Sequence, residues 1–337
     1  MSYLKEIVLN SFQELIFRRS GLNIDSLKML KADASERKIF RLYYGGQKCI
    51  GIFNENPKEN LAFVKFSESF LKLGFNVPEI YGFSDDNLFY IEEDLGDMTL
   101  KSAVSEKDSE EKIHLYKKAL NDLIRFQVLS KDKLDYSYCY QTKCFDESVL
   151  KDDFGKFHDY LLKNYLTGFD KDNLLEKVMM FCSDLIRDSD NDFFLYRDFQ
   201  PRNIMLKNNE LYYIDYQSGR KGPLQYDLAS FVYSGSAELT RDERYMLMIH
   251  YEENLRNYIN YNEQKFRKDF YYFAFIRLIQ VLGSYAYVYE KRKDLKMTEK
   301  IKQGLLKLEE LNNNLENKDI NRFINNLTSH CSELIRI

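Results

Sequence analysis

The sequence predicts an α+β fold with two lobes, a small mixed lobe followed by a larger, mainly helical one. The chain has 337 residues, which is enough for two packed lobes. Hydrophobic residues make up 44% of it and charged residues 30%, the proportions of a folded globular protein. Helical and extended patterns alternate over residues 1–93, whereas helical patterns dominate from about residue 110 onward.

A helix and a hairpin open the small lobe. Residues 3–19 repeat apolar side chains at helical spacing, and Gly21 follows as a typical helix stop. Two extended segments, Arg37–Tyr44 and Gln47–Phe53, flank Gly45-Gly46. Because glycine adopts the positive φ angles that tight hairpin turns need, these segments are predicted to pair as a β-hairpin.

A second helix and two strands complete the small lobe. Residues 59–73 return to helical spacing and end at Gly74, again a typical stop. Val77–Phe83 and Asn87–Glu92 have the composition of strands. The predicted order in this lobe is therefore helix, hairpin, helix, strand, strand.

The domain prediction follows from this order. We place a small nucleotide-binding lobe at residues 1–93, a polar, glycine-containing hinge at 94–98, and a large catalytic and substrate-binding lobe at 99–337. Within the large lobe, the exceptions to the helical pattern are two short apolar runs, Phe193–Tyr196 and Leu211–Ile214, which are predicted to be strands.

Composition argues against several classes of protein. The net charge of −4 and the pI of about 5.8 argue against electrostatically driven binding to nucleic acid. The five cysteines form no Cys-x-x-Cys pair and the four histidines are isolated, so we expect neither a disulfide framework nor a zinc site. Cytoplasmic location is predicted. No apolar run approaches the ~18 residues of a membrane helix, no secretory signal is expected, and no protein partner is implied.

One stretch combines residue types that suit phosphoryl transfer. The segments Tyr196–Met205 and Leu211–Gln217 contain Asp198, Asn203 five residues later, and Asp215. One carboxylate can orient and deprotonate an acceptor hydroxyl, while a carboxamide and a second carboxylate suit the hard cation Mg²⁺. The pattern therefore indicates transfer of a phosphoryl group from ATP.

The order Arg-Asp-x4-Asn, then a strand and Ile-Asp, resembles the catalytic and metal-binding segments of protein-kinase-like enzymes. The closer resemblance is to the aminoglycoside phosphotransferase and choline kinase group. Gly222–Ser230 resembles the segment that follows the metal-binding aspartate in that group. A narrower similarity is to bacterial kinases that phosphorylate N-acetylmuramate and N-acetylglucosamine at the anomeric hydroxyl. It rests on four segments, namely Ala32–Leu42, Glu93–Asp97, Asp215–Gln217 with Gly222-Pro223, and Arg277–Gly283.

This resemblance implies a two-lobed protein-kinase-like fold, ATP and Mg²⁺ as cofactors, and roles for residues at matching positions. Asp198 would be the catalytic base, and Asp227 would brace the catalytic loop. Asn203 and Asp215 would be the Mg²⁺ ligands.

Nucleotide-binding residues are implied in the small lobe and the hinge. The hinge residues, whose backbone would pair with the adenine edge, are Glu93, Asp94 and Leu95. The residues of the turn over the ATP phosphates would be Ala34, Ser35 and Glu36.

The third strand departs from the family pattern, because Cys49–Phe53 contains no lysine to hold the phosphates. Some cation is expected to replace it, since uncompensated charge is costly in a dry cleft. Arg37 is the best-placed candidate because it directly follows the proposed phosphate turn, and Lys38 is the alternative. A surface position is nevertheless the favoured interpretation of Arg37, Arg41 and Lys58, and replacement of the missing lysine is the other interpretation.

Three further residues have two interpretations each. Gln217 is either a substrate contact beside the metal or a surface polar residue. Arg277 either binds a substrate carboxylate or phosphate, or forms a structural ion pair. Glu59 lies where kinases offer a glutamate to the strand lysine, and without that lysine it is expected on the surface.

We therefore predict an ATP-dependent small-molecule kinase whose acceptor is a hydroxyl group of an amino sugar. One alternative is a kinase of the same fold that acts on an aminoglycoside or a choline-like alcohol. The other is a non-catalytic, nucleotide-binding pseudokinase, which the missing lysine would suit. The presence of Asp198, Asn203 and Asp215 together argues against this last alternative.

Overall fold

The structure, a computed structural model, describes residues 2–30, 37–165 and 173–330. A π-helical turn, His158–Leu162, joins the helix that ends at Phe157 to the helix that begins at Lys163. The helices of the described residues are α1 (Ser2–Ser20), α2 (Pro57–Lys72), α3 (Leu100–Val104), α4 (Ser109–Leu129), α5 (Glu147–Phe157), α6 (Lys163–Tyr165), α7 (Leu174–Arg187), α8 (Leu224–Val232), α9 (Arg241–Leu255), α10 (Glu263–Arg292), α11 (Lys296–Asn312) and α12 (Lys318–His330).

The strands form one larger antiparallel sheet and two small ladders. The larger sheet has the order β1-β2-β3-β5-β4, and the ladders pair β6 with β9 and β7 with β8. Together with the many helices, this sheet confirms the predicted α+β class. The strands are β1 (Ser26–Met29), β2 (Lys38–Tyr44), β3 (Gln47–Phe53), β4 (Ile80–Phe83), β5 (Phe89–Glu93), β6 (Phe193–Leu195), β7 (Ile204–Lys207), β8 (Glu210–Tyr213) and β9 (Arg220–Gly222).

The chain divides into two compact units, and neither is continuous in sequence. Unit 1 consists of Met1–Asp108, Asp132–Lys143 and Pro201–Gly219. Unit 2 consists of Ser109–Lys131, Cys144–Gln200 and Arg220–Ile337. The lobe boundaries at residues 93 and 98 stay a prediction.

In unit 1, helix α1 packs on the larger sheet. The Phe12 ring lies edge-on to Phe40 of β2 and Phe89 of β5, with centroids 5.6 and 5.4 Å apart. Gly51 of β3 makes this approach possible, because a Cβ there would lie 2.8 Å from the Phe12 ring. Burying each such aromatic side chain contributes about 1.5–3 kcal/mol to stability. The predicted hairpin is confirmed, with both Gly45 and Gly46 at positive φ.

In unit 2, α10 is the central helix, and it packs against α5, α8 and α11. Gly283 allows α10 to approach α5 closely, because a Cβ at this position would lie 2.7 Å from the backbone nitrogen of Phe157. The long helix is buried over most of its middle, where Phe273 and Ile279 are fully inaccessible. Of the helices in the described residues, none is both long and apolar enough to cross a membrane.

Candidate active-site residues

The β7–β8 hairpin of unit 1 brings Asn203 and Asp215 together. Asn208 and Asn209 form its turn at φ angles of 52° and 63°, a conformation that asparagine tolerates well. The Ile214 backbone N–H donates to the Asn203 carbonyl at 3.2 Å. The Asn203 side-chain amide then donates to Asp215 Oδ2 at 3.1 Å. The two predicted metal ligands are therefore neighbours.

Asp215 accepts hydrogen bonds on both carboxylate oxygens. Its Oδ1 accepts from Gln217 Nε2 at 3.0 Å and from Arg37 Nη2, while Oδ2 accepts from Asn203. Asp215 has a φ of 70°, a region that residues other than glycine seldom adopt. Backbone strain of this kind persists where the surroundings fix it, often at functional sites. Gln217, for which a surface position was one interpretation, is buried beside Asp215.

Arg37 contacts two carboxylates of unit 1 and is only 15% exposed, so the expectation of a surface position is wrong for it. Besides its hydrogen bond to Asp215, its Nε lies 3.8 Å from Glu59 Oε1 of α2. Burial alone would lower the pKa of Arg37, but the charge and hydrogen bond of Asp215 raise it above its ordinary value. The expectation of a solvated Glu59 is wrong, because its side chain is only 19% exposed and also accepts from Gln217 Nε2 at 3.4 Å.

The chemistry of this cluster fits a magnesium ion. Asp215 offers a carboxylate and Asn203 a carboxamide, and oxygen ligands of these kinds suit Mg²⁺. The buried Oε1 of Gln217 has no hydrogen-bond partner, so an oxygen ready for a cation lies next to Asp215. Over the described part of the chain, no set of three or more His, Cys, Asp or Glu side chains forms a metal cluster.

The hinge residue Asp94 is buried in an ion-pair network. Arg41 Nε lies 2.7 Å from Asp94 Oδ2, and Lys48 Nζ lies 3.3 Å from the same oxygen. Arg41 also donates to Asp97 Oδ1 at 2.9 Å. The expectation that Arg41 lies on the surface is therefore wrong, since the arginine is 7% exposed and fixes the segment after β5.

The other hinge residues are also held in place. Glu93 Oε1 accepts from Lys207 Nζ at 2.5 Å, and its backbone N–H donates to the Glu79 carbonyl at 2.9 Å. Leu95 is buried. The hinge side chains thus contact protein groups. The other predicted nucleotide-binding residues, Ala34, Ser35 and Glu36, lie outside the described residues.

In unit 2, Asp227 holds the loop that follows β6. Its two carboxylate oxygens accept from the backbone N–H groups of Tyr196 and Arg197, at 2.6 and 2.8 Å. Arg197 has a φ of 77°, so the chain turns sharply just before Asp198. Burial raises the pKa of Asp227 to about 7, although the two backbone hydrogen bonds act in the opposite direction. Asp227 is thus positioned to fix the backbone next to Asp198.

Arg277 of α10 contacts Asp198 directly. Its Nη2 donates to Asp198 Oδ1 at 2.9 Å and its Nη1 donates to Gln280 Oε1 at 2.7 Å. Arg277 is 5% exposed, and its guanidinium lies 5.8 Å from the centre of the Tyr226 ring. This buried arginine therefore holds the carboxylate that the sequence assigns as the base.

Sequence reasoning missed part of this second cluster. Asp153 of α5 accepts from Arg197 Nη2 at 3.1 Å, and neither residue was assigned a role. Gln280 follows Arg277 by three residues on α10, the spacing that places two side chains on one helix face. This spacing could have shown from the sequence that Gln280 lies beside Arg277. No local pattern links Asp153 to Arg197, so that contact could not be predicted.

Residues 27–261 match the phosphotransferase enzyme family over most of the chain. The chain belongs to this family. The predicted relationship to phosphotransferases is therefore confirmed. A curated relative from Pseudomonas aeruginosa, named N-acetylmuramate/N-acetylglucosamine kinase, is 29% identical over 201 residues. The match covers 58% of this chain and 56% of that relative, so the chain spans little more than half of the relative's length.

Solved phosphotransferase structures share the fold. Choline kinase from Streptococcus pneumoniae superposes with a TM-score of 0.58 at 15% identity, covering 99% of this chain and 100% of that one. An ADP-bound aminoglycoside phosphotransferase gives a TM-score of 0.56 at 14% identity, covering 95% of this chain and 98% of that one. The predicted protein-kinase-like fold is therefore confirmed.

Proposed function

We propose that this phosphotransferase is an ATP- and Mg²⁺-dependent kinase that phosphorylates the anomeric hydroxyl of an N-acetylated amino sugar. The observation that carries the proposal is the cluster of Asn203, Asp215 and Gln217 in unit 1, five to nineteen residues along the chain from Asp198. Family membership supports the reaction type, and the curated relatives named N-acetylmuramate/N-acetylglucosamine kinases support the acceptor class.

Asp198 is the proposed general base. The acceptor oxygen forms a bond to the γ-phosphorus while the bond from this phosphorus to the β–γ bridging oxygen breaks, and ADP leaves. The acceptor proton passes to the Asp198 carboxylate. Arg277 and the Asp227-braced loop fix the direction of that carboxylate. Such positioning is the main source of rate enhancement in phosphoryl transfer, where the protein does little covalent chemistry.

Asn203 and Asp215 are the proposed Mg²⁺ ligands, and the Gln217 oxygen is a third candidate. When bound, Mg²⁺ neutralises charge that develops on the transferring phosphates. The backbone of Glu93 to Leu95 is proposed to pair with the adenine edge. The side chains of Glu93 and Asp94 are already engaged by Lys207 and Arg41, which leaves recognition of a base to the main chain.

The acceptor is tested with a panel of N-acetylmuramate, N-acetylglucosamine, choline and kanamycin, with product mass as the readout. We expect phosphorylation of one or both amino sugars. The product should be acid-labile and non-reducing, as a sugar phosphorylated at the anomeric position must be, unlike a sugar 6-phosphate. The Asp198→Asn variant, assayed in parallel, controls for contaminating kinases.

Other outcomes would favour the two alternatives. Turnover on choline or kanamycin with none on free amino sugars would move the protein to the group that its fold neighbours represent. If no acceptor is phosphorylated while Mg·ATP still raises the melting temperature, the non-catalytic, nucleotide-binding alternative is favoured. If Mg·ATP does not raise the melting temperature either, nucleotide binding fails as well.

A further inference from the structure

The Cys49–Phe53 part of β3 has no lysine, yet a bound triphosphate needs a protein cation near it. ATP carries several negative charges, and burying them without compensation is costly. The side chains of Cys49–Phe53 supply no positive charge. This leaves the question of which cation of unit 1 takes that task.

Most cations on β2 and β3 are committed elsewhere. Arg41 pairs with Asp94 and Asp97 at the hinge, and Lys48 also pairs with Asp94. Lys38 Nζ lies 5.3 Å from the centre of the Phe53 ring. None of these contacts is with the cluster around Asp215.

Arg37 differs from these residues because it contacts a proposed metal ligand. It donates to Asp215 Oδ1, and its Nε lies 3.8 Å from Glu59. Its side chain is 15% exposed, so the charge is partly desolvated and held on both sides by carboxylates. A guanidinium has five N–H donors in a planar fork, so it can contact a carboxylate and a phosphate oxygen at the same time.

We propose that Arg37 supplies the positive charge that holds the ATP phosphates, in place of a lysine within Cys49–Phe53 of β3. Glu59 and Asp215 position the guanidinium before the nucleotide arrives. The cation therefore comes from the residue that precedes β2, and α2 supplies its carboxylate partner. This inference rests on the proposed function, since it requires that the protein bind a nucleotide.

The test is the affinity for ADP in EDTA, measured by calorimetry, because this readout involves neither turnover nor metal. We expect Arg37→Ala to weaken ADP binding about tenfold, as the loss of one charge-assisted contact of about 1.4 kcal/mol would do. Arg37→Lys should lose less than Arg37→Ala, because it keeps the charge. Lys38→Ala is the matched control on the neighbouring residue and should stay within twofold of the wild type.

The possible outcomes separate this inference from the proposed function. If the wild type binds ADP neither in EDTA nor in magnesium, both fail. If it binds ADP only in magnesium, the same variants are compared in magnesium. If the wild type binds ADP and Arg37→Ala loses less than threefold, or Lys38→Ala loses as much, only the assignment of Arg37 is overturned. A loss of threefold or more that is specific to Arg37 supports it.

A second pair of variants covers the case in which Arg37→Ala does not fold. Arg37→Gln keeps a planar hydrogen-bonding group without the charge and should bind ADP more weakly than Arg37→Lys. Equal affinity of these two variants would overturn the proposal. Glu59→Gln should weaken ADP binding by a smaller factor than Arg37→Gln, because Glu59 positions the guanidinium and does not itself contact the nucleotide.

Discussion

The carboxylates of Asp215 in unit 1 and Asp198 in unit 2 are held in different ways. Asp215 accepts from three side chains, of which Asn203 and Gln217 are near it in sequence and Arg37 is 178 residues away. Asp198 accepts from the buried Arg277 of α10, and it lies on a loop whose backbone Asp227 fixes. A carboxylate with several polar neighbours suits a cation that replaces some of them. A carboxylate held by a buried arginine on a braced loop suits a proton acceptor.

Asp198→Asn gives the largest expected effect and tests whether Asp198 is the proton acceptor. The amide is of similar size but cannot accept the proton, so kcat should fall by about 10²–10⁴. Binding of ADP in EDTA should be nearly unchanged, because unit 1 carries the proposed nucleotide contacts. Asp184→Asn, on the exposed surface of α7, is the matched control. Turnover within a few-fold of the wild type would remove Asp198 from the mechanism.

Asp215→Ala tests the other carboxylate. In the wild type, Mg·ATP at about 100 times its dissociation constant should stabilise the protein by about 2.7 kcal/mol. The variant should lose the magnesium-dependent part of this stabilisation, because it lacks the proposed ligand. Thermal melting with ATP, in magnesium and in EDTA, measures it, and the exposed Asp85→Ala in the same unit is the control. An unchanged magnesium-dependent shift would contradict the ligand assignment.

Arg277→Lys separates the two interpretations of this arginine. If Arg277 positions Asp198, kcat should fall about tenfold, or about 1.4 kcal/mol, while the acceptor KM changes little. If it binds the acceptor, KM should rise instead. Arg292→Lys at the exposed end of the same helix is the matched control. Steady-state kinetics with the acceptor identified by the panel provides the measurement.

Asp227→Asn gives the smallest expected effect. It tests, through the pH dependence of stability, whether the buried Asp227 carboxylate holds the loop before Asp198. Burial raises the pKa of Asp227 to about 7, above the ~3.9 of an unfolded chain. The folded state therefore binds more protons than the unfolded state between these values, and this group's contribution to stability falls as pH rises. The stability difference between wild type and Asp227→Asn should shift by on the order of 1 kcal/mol in this direction between about pH 5 and 7. Urea unfolding at both pH values measures the free energy of unfolding of the two proteins. The same difference at pH 5 and pH 7 would contradict a raised pKa for Asp227.

Elements with a local signal were predictable from the sequence. The helix predicted over residues 3–19 is observed as Ser2–Ser20, because its apolar stripe is a local pattern. The second helix begins two residues earlier than predicted, since Asn56 caps it and Pro57 fits its first position. Strand β1 was missed because all four of its residues are exposed and it is defined only by its pairing with β2.

Long-range contacts of the candidate site could not be read from the sequence. Asn203 and Asp215 were predicted as Mg²⁺ ligands from the family resemblance, and the hairpin that joins them is a local feature of the chain. The contact of Arg37 with Asp215 spans 178 residues, and the position of Arg37 suggested a phosphate contact without revealing this carboxylate. The burial of Arg41 against Asp94 was missed for the same reason, because charge patterns along one strand do not reveal a partner on another.

The packing of Phe12 also has a consequence for synthesis of the chain on the ribosome. Its ring partners, Phe40 and Phe89, are made 28 and 77 residues after it. At about 5–20 residues per second, the apolar stripe of α1 waits about 4–15 s for the last of these partners. During that interval α1 exposes the apolar face that the sheet covers in the folded protein.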